Sequence, residues 1–102
     1  MVTQEAVLRL LARRTKRNES TGYEDLAQEL WVSPEAACGH LARLWRSRLI
    51  EAKGDRRTRF QFRLEPGESL RALRFTLAAR GRERLRWYEE EAKRERGRLG
   101  WL

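Results

Sequence analysis

Residues 43–63 hold eight cations, Arg43, Arg46, Arg48, Lys53, Arg56, Arg57, Arg59 and Arg63, against only Glu51 and Asp55. Guanidinium groups at this density suit phosphate oxygens, because each planar fork presents paired N–H donors that match two oxygens at once. The chemistry implied is the binding of a polyanion. A cationic hairpin edge can also serve only to stay solvated and resist strand aggregation. Here the scarcity of balancing acidic residues favours phosphate contact, with Arg43, Arg46 and Arg48 also placed to complement a helix dipole. Arg outnumbers Lys twenty to three, a bias that suits bidentate contacts but that a GC-rich genome or a thermophile would also produce.

Cys38 and His40 suggest a metal or redox site only when taken alone. Zinc needs three or four ligands, and the chain has one Cys and one His, so neither a metal site nor a disulfide framework follows. A nucleophile–base pair would need hydrogen-bond reach, whereas i and i+2 on a helix point apart. With no Gly-rich phosphate loop either, the sequence predicts no enzyme, no metal and no cofactor.

The formal net charge is +8 with a pI near 10.9. It is unevenly spread: residues 1–30 carry five basic and five acidic side chains, 31–64 eight and three, and 65–102 ten and seven. More than half of the excess therefore falls on one third of the chain, which points to a localised face for an anionic partner. The 102 residues suit one domain with one modest core, and 37% charged residues leave little apolar material beyond it. No run of about eighteen apolar residues and no signal-peptide core is present, so a cytoplasmic protein without a membrane partner is expected.

The elements that would position these cations can be read in order. Thr3 caps a first helix with apolar face Ala6, Val7, Leu10 and Leu11, and Arg13, Arg14 and Lys16 in its last turn. Thr21 with Glu24 forms a capping-box pattern opening a second helix, whose stripe is Leu26, Ala27 and Leu30. Ser33 and Pro34 then start a third, with Ala37, Leu41 and Leu44 on one side, Trp45 on its flank and Glu35, Cys38, Gly39, Ala42, Arg43 and Arg46 facing elsewhere. Beyond it, 49–53 reads as a short strand, Gly54-Asp55 as a turn, and two alternating runs, Phe60/Phe62/Leu64 and Leu73/Phe75/Leu77, as hairpin strands separated by Pro66-Gly67. Their Phe and Leu side chains are expected to face the helices. A charged helix from 78 to about 98 follows, with Glu89/Lys93 and Glu90/Arg94 at i, i+4 and a narrow stripe of Leu85, Tyr88 and Ala92. Trp31 and Trp45 are read as core or core-edge.

The stretch LAQELWVSPEAACGHLARLWRSRLIEA resembles the helix-turn-helix of winged-helix regulators of the MarR, ArsR and PadR kind, and FTLAARGRERL resembles the segment that leaves their last wing strand for a C-terminal helix. The resemblance covers about two thirds of the chain. It implies an α+β winged helix: a three-helix helix-turn-helix core and β-hairpin wing over 1–77, and an additional C-terminal helix and tail over 78–102. Trp31 and Arg48 stand where the family has Gly, and Ala78 where it has a capping Thr. Gly reaches positive φ without steric cost, so Trp31 and Arg48 either bear strain there or mark a different turn.

The resemblance further implies a small transcriptional regulator that lays helix 34–47 in the major groove of double-stranded DNA and its basic wing on the phosphate backbone. Its contacts would come from Ser33, Glu35, Arg43, Arg46 and Arg48 and from Lys53, Arg56, Arg57, Arg59 and Arg63. Glu35, Ala36, Cys38 and Gly39 occupy positions where the family usually reads bases, and three of these four offer little to a base edge, which weakens sequence-specific readout. The alternative is a protein-interaction module in transcription or replication machinery, docking through the small-residue patch Ala36, Cys38, Gly39 and Ala42. A homodimer through Leu85, Trp87, Tyr88 and Ala92 is expected, set against the possibility that this helix folds back on the first one.

Overall fold

A computed structural model describes residues 2–53, 63, 64 and 66–99. Among these residues four helices, α1 (Gln4–Lys16), α2 (Tyr23–Leu30), α3 (Pro34–Arg46) and α4 (Ala79–Leu99), surround a two-stranded antiparallel sheet of β1 (Ile50–Ala52) and β2 (Phe75–Leu77). The chain is α+β, and this arrangement is compatible with a winged helix.

Two of the expected helix starts form as their residues dictate. Thr3 Oγ1 accepts from Ala6 N at 3.2 Å and Ser33 Oγ from Ala36 N at 3.1 Å, each satisfying one of the N–H groups that a first turn leaves unpaired. Pro34 sits at the first helical position of α3, where its missing N–H costs nothing. The start of α2 differs from the capping box expected of Thr21 and Glu24. Its cap is Gly22, whose N–H donates to Asp25 Oδ2 at 2.9 Å. Thr21 is unavailable because it is fully buried and exchanges two 2.8 Å backbone hydrogen bonds with Phe75, pairing the α1–α2 connection with β2.

The core lies where α1, α2 and α3 close on the sheet: Leu8, Leu11, Leu26, Leu41, Leu49, Ile50 and Phe75 are fully buried, and Trp45 meets Phe75 edge-on with ring centroids 5.9 Å apart. The β1–β2 register pairs Ile50 with Leu77, Glu51 with Thr76 and Ala52 with Phe75, so Ile50 and Phe75 point inward as period-two alternation requires. Leu8, outside the expected face of α1, is buried because that helix touches α2, β2 and α4 at once and so presents a broad apolar arc.

The region between the strands departs from the expected hairpin. Gly54, Asp55, Phe60 and Phe62 lie outside the described residues, and Leu64, expected to face the helices, is 38% exposed. The alternating pattern also conceals a 3₁₀ turn, Leu70–Ala72, that precedes β2 and is capped by Ser69, whose Oγ accepts from Arg71 N. Trp31 is not core either. It ends α2 in the left-handed region at φ 54° and is 94% exposed, because that turn swings its side chain off the α2–α3 interface.

Gly81 explains how closely α4 approaches the sheet. A Cβ built there would run into the Leu49 carbonyl oxygen and come within 2.6 Å of Leu77 Cδ1. Only a glycine lets the first turn of α4 rest on the end of α3 and the start of β1.

Candidate nucleic-acid interface

The third helix puts Ala37, Leu41, Leu44 and Trp45 into the core and leaves Glu35, Ala36, Arg43 and Arg46 exposed. The direction is set by the 3.6-residue period: once Leu41 and Leu44 point inward, Arg43 and Arg46 must point out. Ser33 lies exposed at the head of this face, with its hydroxyl already used as the cap.

The described part of the β1–β2 connection reaches the same face. Arg46, with Cys38, Gly39 and Ala42, lines a groove of about 510 Å³ whose other side is Arg63, Leu64 and Leu70. Cys38, Gly39 and Ala42 give its α3 side small side chains beside the largely buried Trp45, so another surface can approach the helix backbone there, and cations from two separate elements stand at its edge. Lys53 is exposed at the end of β1, while Arg56, Arg57 and Arg59 lie outside the described residues.

On α3 itself, Arg43 and Arg46 form no ion pair with a described carboxylate. Glu35 stands 3.8 Å from Arg71, an exposed pair worth well under about 1 kcal/mol. Arg43 Nη2 lies 3.0 Å from His40 Nδ1. Burial, and then the Arg43 charge, hold the imidazole below its ordinary pKa, which keeps it neutral at pH 7 and able to accept that hydrogen bond. His40 thus steadies Arg43 without cancelling its charge. Cys38 is half-buried, and among the described residues no group of Cys, His, Asp and Glu could hold a metal.

Arg48 occupies the position after α3 at φ 63°, so the left-handed turn expected of a glycine is made by an arginine, as it is by Trp31 at the α2–α3 turn. Sequence reasoning does not single out Arg80 and Arg84, which with Gln4, Arg46, Ser47, Arg48 and Leu49 line a second cleft of about 440 Å³ at the end of α3. Their i, i+4 spacing at the start of a helix was the available signal. Arg46 lines both clefts, so one basic track runs from the β1–β2 connection to the head of α4.

The four residues expected at a dimer interface separate. Leu85 and Tyr88 are half-buried against the core of their own chain, with Tyr88 Oη 3.2 Å from Gln4 Oε1, whereas Trp87 is 51% exposed and Ala92 faces solvent. The first half of α4 therefore folds back on α1.

Compared with known protein families, curated proteins and solved structures, the chain matches none. Among the described residues no helix is long and apolar enough to cross a membrane.

Proposed function

We propose that the protein is a winged-helix DNA-binding protein, a small regulator of transcription that sets α3 against the major groove and its basic β1–β2 connection on the flanking backbone. The observation that carries this reading is the convergence of Arg46 from α3 and Arg63 from the connection on one groove whose α3 side carries small residues, with Arg43 exposed on the same helix. Affinity would come chiefly from phosphates, since Ala36, Cys38 and Gly39 bring little base-reading capacity. Fluorescence-anisotropy titrations with duplex, single-stranded and RNA oligomers at two salt concentrations test it. Duplex binding that falls steeply with salt, by about 0.9 log unit of affinity per log unit of salt for each phosphate engaged, is expected. Duplex binding no tighter than that of the single strand or the RNA would remove the reading.

A protein-docking role is the second reading, favoured by the 94% exposure of Trp31 and the exposed Leu64 beside the same groove. It gains if duplex affinity is negligible at physiological salt. Pairing of two copies would use the exposed side of α4 at Trp87 and Ala92, and sedimentation equilibrium at micromolar concentration would then give twice the 12.2 kDa chain mass.

A further inference from the structure

The cleft between the end of α3 and the head of α4 combines features that the stability of the fold does not require. Three chain segments bring Arg46, Arg48, Arg80 and Arg84 to its walls, with Gln4 and Ser47 as neutral polar groups, and among the described residues no carboxylate lines it. Some arginines elsewhere are paired: Arg9 with Glu5, Arg14 and Arg74 with Asp25, Arg94 with Glu91. Arg46, Arg80 and Arg84 form no ion pair with any described carboxylate.

Their placement also works against the helix that carries two of them. Arg80 and Arg84 are like charges at i, i+4, and both stand in the first two turns of α4, where the helix dipole favours anions; the first turn holds no acidic residue. Arg48 adds the cost of a left-handed conformation without being a glycine. Gly81, by lying bare against the Leu49 carbonyl, is what brings Arg80 and Arg84 up to Arg46 and Arg48 at all. A bound oxyanion would offset the mutual repulsion and the unfavourable dipole together.

We propose that this cleft is a binding site for a phosphate group, distinct from the α3 groove. Forked guanidiniums from separate elements can surround a tetrahedral oxyanion with paired N–H donors, as a single helix face cannot. The phosphate can belong to a nucleic-acid backbone, continuing the track that Arg46 shares with the groove, or to a small phosphorylated molecule. The site itself holds in either case and does not depend on the DNA-binding reading.

The test is calorimetric titration of the full chain with inorganic pyrophosphate, with sodium chloride adjusted to hold ionic strength constant. Saturable binding with one site per chain is expected, weakened about tenfold or more by Arg80→Ala/Arg84→Ala, which removes several charge-assisted hydrogen bonds, and unchanged by Lys93→Ala farther along α4. The double variant should keep its fold, because it removes a repulsive pair from a helix. Arg48→Gly gives a second check: it removes one guanidinium from the cleft and should weaken pyrophosphate binding. No saturable binding by the wild type, or equal binding by the double variant, overturns the site. Duplex titrations then assign the source. A shallower salt dependence in Arg80→Ala/Arg84→Ala supports a backbone phosphate, whereas unchanged duplex binding beside weakened pyrophosphate binding supports a small phosphorylated ligand. Pyrophosphate binding without any duplex binding by the wild type would sink the DNA-binding reading and leave the cleft standing.

Discussion

The arginines around Asp25 and those around the end of α3 differ in what their guanidiniums meet. Arg14 and Arg74 converge on Asp25 Oδ2 at 3.5 and 2.8 Å, and both also bond the Ser20 carbonyl at 3.0 Å, while Arg14 Nε reaches the buried Thr21 hydroxyl. They stitch α1, the α1–α2 connection, α2 and the lead-in to β2 into one unit. Arg43, Arg46, Arg80 and Arg84 have no carboxylate partner among the described residues, and their charge is left facing outward. Identical side chains thus act as internal fasteners in one region and as an unneutralised surface in the other. A count of cations cannot separate the two, but the position of Asp25 can.

The largest effect should come from the core that both regions stand on. Phe75 is fully buried, packs on Trp45 and shares its backbone with Thr21, so Phe75→Ala should cost about 3–5 kcal/mol in urea denaturation through reduced burial and a cavity. A cost below about 1 kcal/mol, the size of a surface change, would mean that the sheet is not what joins the two regions.

Asp25 comes next. Burial by itself would raise its carboxyl, but the Gly22 N–H and the Arg14 and Arg74 guanidiniums outweigh burial and hold it below its ordinary value. A carboxylate whose folded pKa is depressed adds stability that is complete above the unfolded pKa, near 3.8, and is lost as pH falls through the lower folded value. Asp25→Ala should cost about 1–3 kcal/mol at pH 7, because it strands the Gly22 donor and two guanidiniums, and it should flatten the loss of stability below about pH 4. An unchanged acid limb would show that Arg14 and Arg74 are no more fastened than the exposed set.

Trp31→Gly should act in the other direction. Its side chain has almost no packing to lose, and a glycine relieves the left-handed strain, so stability should rise by about 0.5–1 kcal/mol in the same denaturation assay. A loss would show that the indole covers something in the folded protein.

The sequence was most legible where a local rule had no competitor. Thr3, Ser33 and Pro34 announce their helices because capping is settled within four residues, and the inward stripe Ala37, Leu41 and Leu44 follows from helical period alone. The same two rules made Arg43 and Arg46 readable as outward. Thr21 misled because long-range pairing with Phe75 overrode a capping pattern that was locally sound, and Trp31 misled because apolar character says nothing about which way a left-handed turn will aim a side chain. The second cleft was illegible for a related reason. Arg80 and Arg84 are far from Arg46 in sequence, and only the bare Gly81 surface against Leu49 brings them together.

The smallest effect on stability should belong to the residues with the most to do in binding. Arg43 and Arg46 are exposed, face away from the core and join no ion pair with a described carboxylate, so replacing both by Ala removes charge without removing packing. The unfolding free energy should shift by no more than about 0.5 kcal/mol, as for other surface changes, whereas the salt slope of duplex binding should flatten by about 0.9 for each phosphate no longer engaged. The weakening should be similar on unrelated duplexes, because phosphates carry no sequence information. Arg14→Ala is the matched control: it should lower stability by about 1–3 kcal/mol, by removing the donor to the buried Thr21 hydroxyl and the ion pair to Asp25, and leave the salt slope alone. If Arg14→Ala flattened the slope as much as Arg43→Ala/Arg46→Ala, the division between fastening and binding arginines would fail, and the basic face would be a diffuse property of the chain's net charge.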